Sequence, residues 1–150
     1  MINYLKDIIK VTLETPVENW FSYKYDVEGH KLDRLVFHWN NLELQINYLI
    51  HSKRPHCHEC NMLSLMLVNG YNWFLQQYGA FSPLNLFSAP GSIIRMDSKD
   101  THWIEESNKY SISLCVFDKL VNWHEYYPVL ENSWKLNIYE QAINGLKIHF

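Results

Sequence analysis

The sequence lacks several features that would place the protein in a special class. Three cysteines are an odd number and too few for a disulfide framework, and no repeat or low-complexity segment is present. The net charge of -3 gives no large basic field, so we expect no binding to long nucleic acid. Charged residues interrupt the first apolar segment, and no later apolar run approaches the length of a membrane span. We therefore expect a cytoplasmic protein without a membrane partner.

The length and composition predict a single domain over residues 1–150. With 47% hydrophobic residues, a chain of 150 residues can bury one sizeable core. Apolar residues recur three to four positions apart from Ile2 to Leu13, which predicts an amphipathic helix that ends before Pro16. We expect an N-terminal helical cover over 1–22, a barrel over 31–118, and a C-terminal cover over 119–150 with a closing helix over 136–146.

Most of the remaining chain predicts β-strands. Residues 32–39 and 42–50 are rich in β-branched and aromatic residues and flank Asn40-Asn41, which predicts a hairpin. Residues 63–68 and 71–77 flank Asn69-Gly70, a strong turn signal that predicts a second hairpin. Further short strands are predicted over 84–87, 92–96, 102–105 and 110–117. This spacing indicates a small β-barrel or sandwich.

The segment HSKRPHCHEC at residues 51–60 concentrates metal-ligand side chains at the head of a predicted strand. Side chains alternate along a strand, so His56 and His58 would project to one face, about 6–7 Å apart at their Cα atoms. Both imidazoles can then converge on one ion. The candidate third ligand is His102, which follows the polar loop MDSKDT and begins another apolar stretch.

Two other interpretations of the same segment are open. Cys57 and Cys60 have the spacing of a zinc ribbon, but a closed structural site needs a second pair, and only the isolated Cys115 and His102 are available. The histidines can also be ordinary polar residues at a strand entrance. The joint occurrence of His-x-His, a turn glycine, Pro-Gly and a later histidine favours the metal site over both.

These residues resemble the two motifs of the cupin superfamily. The stretch HCHECNMLSLMLVNG supplies a His-x-His pair and a glycine, and SAPGSIIRMDSKDTHWIE supplies a Pro-Gly turn and then His102. The segments are most similar to a small bacterial and phage cupin-like type whose first motif resembles HDHPWDF. The resemblance implies an all-β fold, a cupin-like double-stranded β-helix barrel, with one divalent metal ion and pairing into a homodimer.

The chain departs from the superfamily at one metal ligand. Where the superfamily has a metal-binding glutamate, this sequence has Leu63. Either the site consists of three histidines, or Glu59 or Asn61 completes it through a local bulge. Three histidines without the carboxylate resemble the thiol dioxygenase branch, which holds iron. Iron, zinc, manganese and nickel are the candidate metals.

Residues near the motifs are candidates for contacts with a substrate. An arginine can hold a carboxylate or phosphate with its planar fork, an aromatic side chain can stack on a ring, and a carboxylate can act as general base. The candidate substrate-binding residues are Arg54, Arg95, Tyr71, Trp73 and Trp103, and the candidate catalytic residues are Glu59, Arg95 and Glu105.

The sequence thus predicts a metal-dependent enzyme that acts on a small polar or anionic molecule. Iron would make it an oxygenase, whereas zinc, manganese or nickel would make it a hydrolase or isomerase. The alternative, implied by the phage-type resemblance, is a hydrolase or binding protein that cleaves or sequesters a small nucleotide, including a cyclic signalling nucleotide.

Overall fold

The strands form one continuous ten-stranded sheet that folds into a barrel. The computed structural model describes residues 2–23, 29–58, 60–105, 109–120 and 126–150. The helices are Ile2–Glu14 (α1) and Ser133–His149 (α2). The strands are Phe21–Tyr23 (β1), His30–Trp39 (β2), Leu42–His56 (β3), Met62–Val68 (β4), Tyr71–Gln76 (β5), Leu84–Ser88 (β6), Ile93–Met96 (β7), Thr101–Ile104 (β8), Ser111–Phe117 (β9) and Tyr127–Pro128 (β10).

Strand β3 divides the sheet into two branches. Its residues 43–49 pair with β9, whereas Ser52 and His56 farther along pair with β8. One branch continues as β9, β4 and β7, and the other as β8, β5 and β6, while β2, β1 and β10 extend the sheet from the opposite edge of β3. Inward-facing residues of both branches share one apolar cluster, so the branches face each other and enclose the barrel interior.

The first predicted hairpin is confirmed. Asn40 has a φ of 55°, and Trp39 pairs with Leu42, so a two-residue turn joins β2 and β3. Strand β3 is longer than predicted and runs to His56 instead of ending at residue 50. Its second half is polar, and it stays in the sheet because it pairs with β2 on one side and with β8 on the other.

The second predicted hairpin is wrong, although its turn is correctly placed. Asn69 and Gly70 both have positive φ, at 65° and 116°. However, β4 pairs with β7 and β9, and β5 pairs with β6 and β8. The turn is therefore a corner at which the chain passes from one branch to the other. A Cβ atom on Gly70 would overlap the carbonyl oxygen of Ser88, so this corner requires glycine.

Both helices pack on the outer face of the sheet, where they bury one of the two apolar clusters. Asn132 caps α2 by accepting a hydrogen bond from the backbone N–H of Lys135 at 3.1 Å. Neither helix, within the described parts of the chain, is long and apolar enough to cross a membrane. The cluster includes Ile8, Ile138, Ala142 and Leu146 from the helices and Leu44, Ile46, Leu63, Leu65, Leu67, Ile112, Leu114 and Val116 from the sheet.

The shorter predicted strands agree with β6, β7, β8 and β9 to within one residue at each end. The helix predicted over 136–146 extends in the structure to Ser133–His149. Strands β1 and β10 were not predicted from the sequence. They pair with each other and contain only three and two residues, too few for a periodic pattern of side chains.

The close contact between α2 and β4 at Gly145 predicts the effect of one substitution. A Cβ atom on Gly145 would lie 2.7 Å from the carbonyl oxygen of Leu67. Alanine is favoured over glycine in a helix by about 1 kcal/mol. We nevertheless expect Gly145→Ala to lower the free energy of unfolding by about 1–3 kcal/mol, because the helix must move off the sheet.

Chemical denaturation of Gly145→Ala and of Asn144→Ala, at an exposed neighbouring position, measures this effect. The Asn144 variant should be at least as stable as the parent, since alanine has the higher helix propensity. An equal gain in both variants would contradict the close approach of α2 to β4.

Candidate metal centre

The three predicted histidines converge where β3 meets β8. His56 is the last residue of β3, and its Cα partner across the sheet is His102 of β8. His58 follows two residues later, in the connection between β3 and β4. The prediction that the pair lies at the head of a strand is therefore wrong, because the pair lies at the end of the preceding one. The side chains of His56 and His58 still converge, because the chain leaves the sheet directly after His56.

The ring nitrogens of these residues lie close enough together to share an ion. One nitrogen from each of His56, His58 and His102 can be chosen so that all three lie within 4.8 Å of one another. The Nε2 atoms of His58 and His102 are 2.8 Å apart. Among the described residues, no carboxylate or thiol belongs to this group.

The ring of His56 is oriented by the backbone. Its Nδ1 lies 2.8 Å from the carbonyl oxygen of Arg54, which can only accept, so Nδ1 carries the proton and donates it. The lone pair of a neutral His56 is then on Nε2. A hydrogen bond from the second nitrogen to a carbonyl is the usual support for a metal-binding histidine.

The ring of His102 is held differently, by Trp73 of β5. The indole Nε1 of Trp73 lies 2.6 Å from His102 Nδ1. An indole N–H can only donate, so Nδ1 accepts and the proton of neutral His102 is on Nε2. That proton points to His58, whose Nε2 accepts it. In this arrangement a proton is shared at the centre of the three-histidine group.

Burial keeps the group uncharged. Desolvation is the main cause that lowers the pKa of all three histidines, to about 3 for His58 and well below the usual value for His102. Neighbouring histidines and Arg34 lower the pKa of His58 further. Neutral imidazole is the form that binds metal, so the group needs no loss of charge near pH 7 to act as a ligand set.

A fourth histidine that the sequence did not single out lies beside the group. The rings of His30 and His56 are 4.9 Å apart at their centroids, and His30 Nδ1 is 2.5 Å from the hydroxyl of Ser52. Burial, and next the proximity of His56, lower the pKa of His30. His30 begins β2 and is the Cα partner of Ser52. Knowing that β2 pairs with the polar second half of β3 would have identified His30 as a neighbour of the site.

Two cavities adjoin the histidines. The inner one has a volume of about 50 Å³, and its walls include Leu49, Met62 and Phe117. The second has a volume of about 310 Å³ and shares His56 and His58 with the first. Five polar residues of β2 and β3 that line these cavities were not predicted as site residues; they are His30, Arg34, Gln45, Asn47 and Ser52.

Two of the predicted substrate contacts line the inner cavity. Trp73 is buried and binds His102, and Tyr71 is buried nearby. Burial raises the pKa of Tyr71 above its usual range, although hydrogen bonds with Ser64 and Ser113 oppose the rise. The structure thus places both aromatic residues in the wall of the barrel interior.

The other predicted site residues lie elsewhere in the structure. Arg54 and Glu105 are exposed, and the carbonyl oxygen of Arg54 accepts a hydrogen bond from His56 Nδ1. Arg95 of β7 is exposed, and its Cα partner across the sheet is Leu63 of β4. Because Leu63 belongs to the outer apolar cluster, Arg95 lies on the outer face of the sheet. Trp103 stacks on Phe74, 5.2 Å away and nearly parallel, and neighbours His102 on the opposite face of β8. Glu59 lies outside the described residues.

The cysteines do not form a second ligand set. Cys57 is exposed, and its Sγ lies 2.8 Å from the carbonyl oxygen of Ser98. Cys60 is buried in the apolar cluster of the barrel interior, and burial raises the pKa of its thiol to about 11. Among the described residues, neither cysteine belongs to a group of three or more side chains that could share an ion, whereas a structural zinc site needs four. This argues against the zinc-ribbon interpretation.

No family model and no curated protein matches the sequence. Solved structures do match the fold. CapF, a capsular polysaccharide assembling protein from Staphylococcus aureus, has a TM-score of 0.54 at 9% identity, over 67% of this chain and 31% of its own. Hydroxypropylphosphonic acid epoxidase (HppE) from S. wedmorenis has a TM-score of 0.55 at 9% identity, over 69% of this chain and 57% of its own.

CENP-C of Drosophila melanogaster, in a complex with CAL1, has a TM-score of 0.56 at 14% identity, over 77% of this chain and 98% of its own. The chain spans less than two thirds of the CapF and epoxidase chains. At these identities the similarity concerns the fold alone. Because the structural neighbours are cupin-fold proteins, the cupin-like barrel predicted from the motifs is confirmed as the fold.

Proposed function

We propose that the protein is a metal-dependent enzyme of the cupin type, in which His56, His58 and His102 hold one divalent ion. The observation that supports the proposal is the convergence of three imidazoles, with nitrogens within 4.8 Å of one another, at the wall of a cavity in the barrel. Three neutral imidazoles from one protein are a donor set that transition-metal sites use.

The donor set fits a first-row transition metal. Imidazole nitrogens suit iron, zinc and nickel, whereas manganese prefers oxygen ligands. Three protein ligands leave coordination positions for water and substrate, as catalytic sites require. The fit is incomplete at His102, because the nitrogen that would bind the ion carries a proton while Trp73 occupies the other nitrogen.

The residues of the chain itself would orient the substrate and line the pocket in which it reacts. With iron bound the site would support oxygenase chemistry, and with zinc or nickel it would support hydrolysis or isomerisation. The carbonyl oxygen of Arg54 accepts from His56 Nδ1 and so orients its ring, and Met62 and Phe117 contribute apolar surface to the wall of the inner cavity. The similarity to Fe(II)-bound HppE, with a TM-score of 0.58 at 8% identity, favours iron.

Removal of the histidines tests the metal site. We expect the protein to purify with about one divalent ion per chain, and the His56→Ala/His58→Ala double variant to lose it, because one remaining imidazole binds an ion weakly. His149→Ala, at an exposed position in α2, is the matched control. Elemental analysis of the folded proteins gives the result, and equal metal content in the double variant and the control would refute the site.

The reaction class is tested on the metal-loaded protein. Incubation with small thiols, small hydroxy acids and a panel of linear and cyclic nucleotides should give oxygen consumption with one of the small molecules if the ion is iron. Cleavage of a nucleotide would support the hydrolase alternative. A nucleotide recovered unchanged from the protein would support a binding protein. If oxygen is not consumed by the iron form with any compound, the oxygenase proposal fails.

Trp73 should weaken metal binding in the parent protein. Coordination through His102 Nε2 moves the proton of the neutral ring to Nδ1, where it meets the indole N–H, and two donors then face each other in a buried site. We expect Trp73→Phe to bind the ion about tenfold more tightly, since one buried hydrogen-bond conflict disappears.

A competition titration with a chelator measures this affinity. The matched control is Trp103→Phe, because Trp103 lies next to His102 in sequence but on the other face of β8. The control should bind the ion as the parent does. Weaker binding by Trp73→Phe alone would show that the indole supports the ligand form of His102 and would contradict this assignment of the proton.

A further inference from the structure

Strand β6 forms an open edge of the sheet. Among the described residues it pairs with β5 on one side and with no strand on the other. Along such an edge, alternate residues direct their backbone N–H and C=O groups away from the sheet, where a further strand can pair with them.

The edge at β6 lacks the features that protect a strand from pairing. Short length, charges and prolines are the usual protection. The described part of the chain has other open edges at β7 and β10, but β7 contains Arg95, and β10 consists of Tyr127 and Pro128. Strand β6 has five residues, none of them charged and none of them proline.

The apolar side chains of β6 are exposed on both faces of the strand. Leu84 and Leu86 lie on the inner face, opposite Leu75 and Trp73 of β5, and are 47% and 40% exposed. Phe87 lies on the outer face and is 65% exposed. Single exposed apolar residues are common, but a strand that exposes them on both faces is typical of a surface that a partner covers.

The apolar cluster beneath the helices does not extend to this part of the sheet. The cluster contains residues of β2, β3, β4 and β9, and none of the described residues of β5, β6 or β8. On the outer face of these three strands Trp103 stacks on Phe74, and Phe87 follows on the edge strand. The apolar surface at the edge therefore continues across the outer face.

The sequence around the edge carries no charge. No aspartate, glutamate, lysine, arginine or histidine occurs between Glu59 and Arg95, although 19% of the chain is charged. Pairing about a two-fold axis brings a surface against its own copy, so any charge in it would face a charge of the same sign. An edge that binds a charged partner would instead carry the opposite charge. The absence of charge therefore favours a second copy of the chain as the partner.

We propose that β6 pairs antiparallel with β6 of a second copy of the chain, about a two-fold axis, so that the two sheets become continuous. Pro83 and Pro90 lie on either side of the strand, lack the N–H group that further pairing would need, and limit the pairing to the strand between them. All of β6 pairs when the axis passes beside Leu86, its central residue. Leu86 then lies opposite its own counterpart, and Asn85 of one copy lies opposite Phe87 of the other.

Analytical ultracentrifugation over a dilution series tests the pairing. We expect the parent protein to have twice the mass of one chain when concentrated and to dissociate on dilution, because one short strand gives a small interface. The mass of a single chain at every concentration would overturn the proposal and leave a peptide or another protein as the partner of this edge. Open-ended growth into larger assemblies would also overturn it, because a two-fold pair is closed.

A charge at the axis should separate the two copies. In Leu86→Lys two lysines would face each other directly, so we expect the dissociation constant to rise at least about a hundredfold. Asn144→Lys, which adds the same charge at an exposed position in α2, is the matched control and should dimerise as the parent does. A folded Leu86→Lys protein that dimerises like the control would place the interface elsewhere and overturn the assignment to β6.

Cross-linking tests the position of the axis and does not depend on the folding of the lysine variant. Directly opposite residues of an antiparallel pair are close enough for a disulfide, whereas a residue one place from the axis faces a different residue of the other copy. Oxidised glutathione should therefore join Leu86→Cys protein into a covalent dimer. It should leave Asn85→Cys protein, and the parent with its exposed Cys57, as single chains. Equal cross-linking of all three, or none in Leu86→Cys, would contradict the proposed pairing.

Discussion

The apolar outer face of the sheet is the constraint on which the rest of the structure depends. Leu44 and Ile46 of β3 are fully buried beneath the helices, and each stabilises the fold by about 1.5–3 kcal/mol. Because side chains alternate along a strand, Gln45 and Asn47 must then face the barrel. The polar side chains on the inner face of β3 are thus a consequence of covering its outer face with α1 and α2.

The second determinant of the site is the length of β3. One strand belongs to both branches of the sheet, and its last residue, His56, reaches β8 beside His102. His58 follows where the chain leaves the sheet, and Trp73 contributes from β5. The group therefore forms where the two branches diverge, which is also where the cavities open.

Local sequence patterns predicted the secondary-structure elements and the spacing of the histidines well. They did not predict which strands pair or which face of a strand points into the barrel. Strands β2 to β9 and both helices follow from periodicity, apart from their exact ends, and His56, His58 and His102 follow from ligand spacing. Asn69-Gly70 specifies a turn, but which strands pair across it depends on distant residues, so the predicted hairpin was a corner. Arg34 and Gln45 were missed because alternation alone does not say that the polar face is the inner one. The helices determine which face points inward, because they cover the other face through contacts between residues far apart in sequence.

X-ray absorption spectroscopy of the metal-loaded protein tests the central claim most directly. Scattering from imidazole rings and from sulfur is distinguishable at the metal edge. The structure predicts three imidazole nitrogens, with the remaining ligands being light atoms from water. A sulfur neighbour would instead assign the ion to Cys57 or Cys60, and a shell without imidazole would contradict a metal centre at His56, His58 and His102.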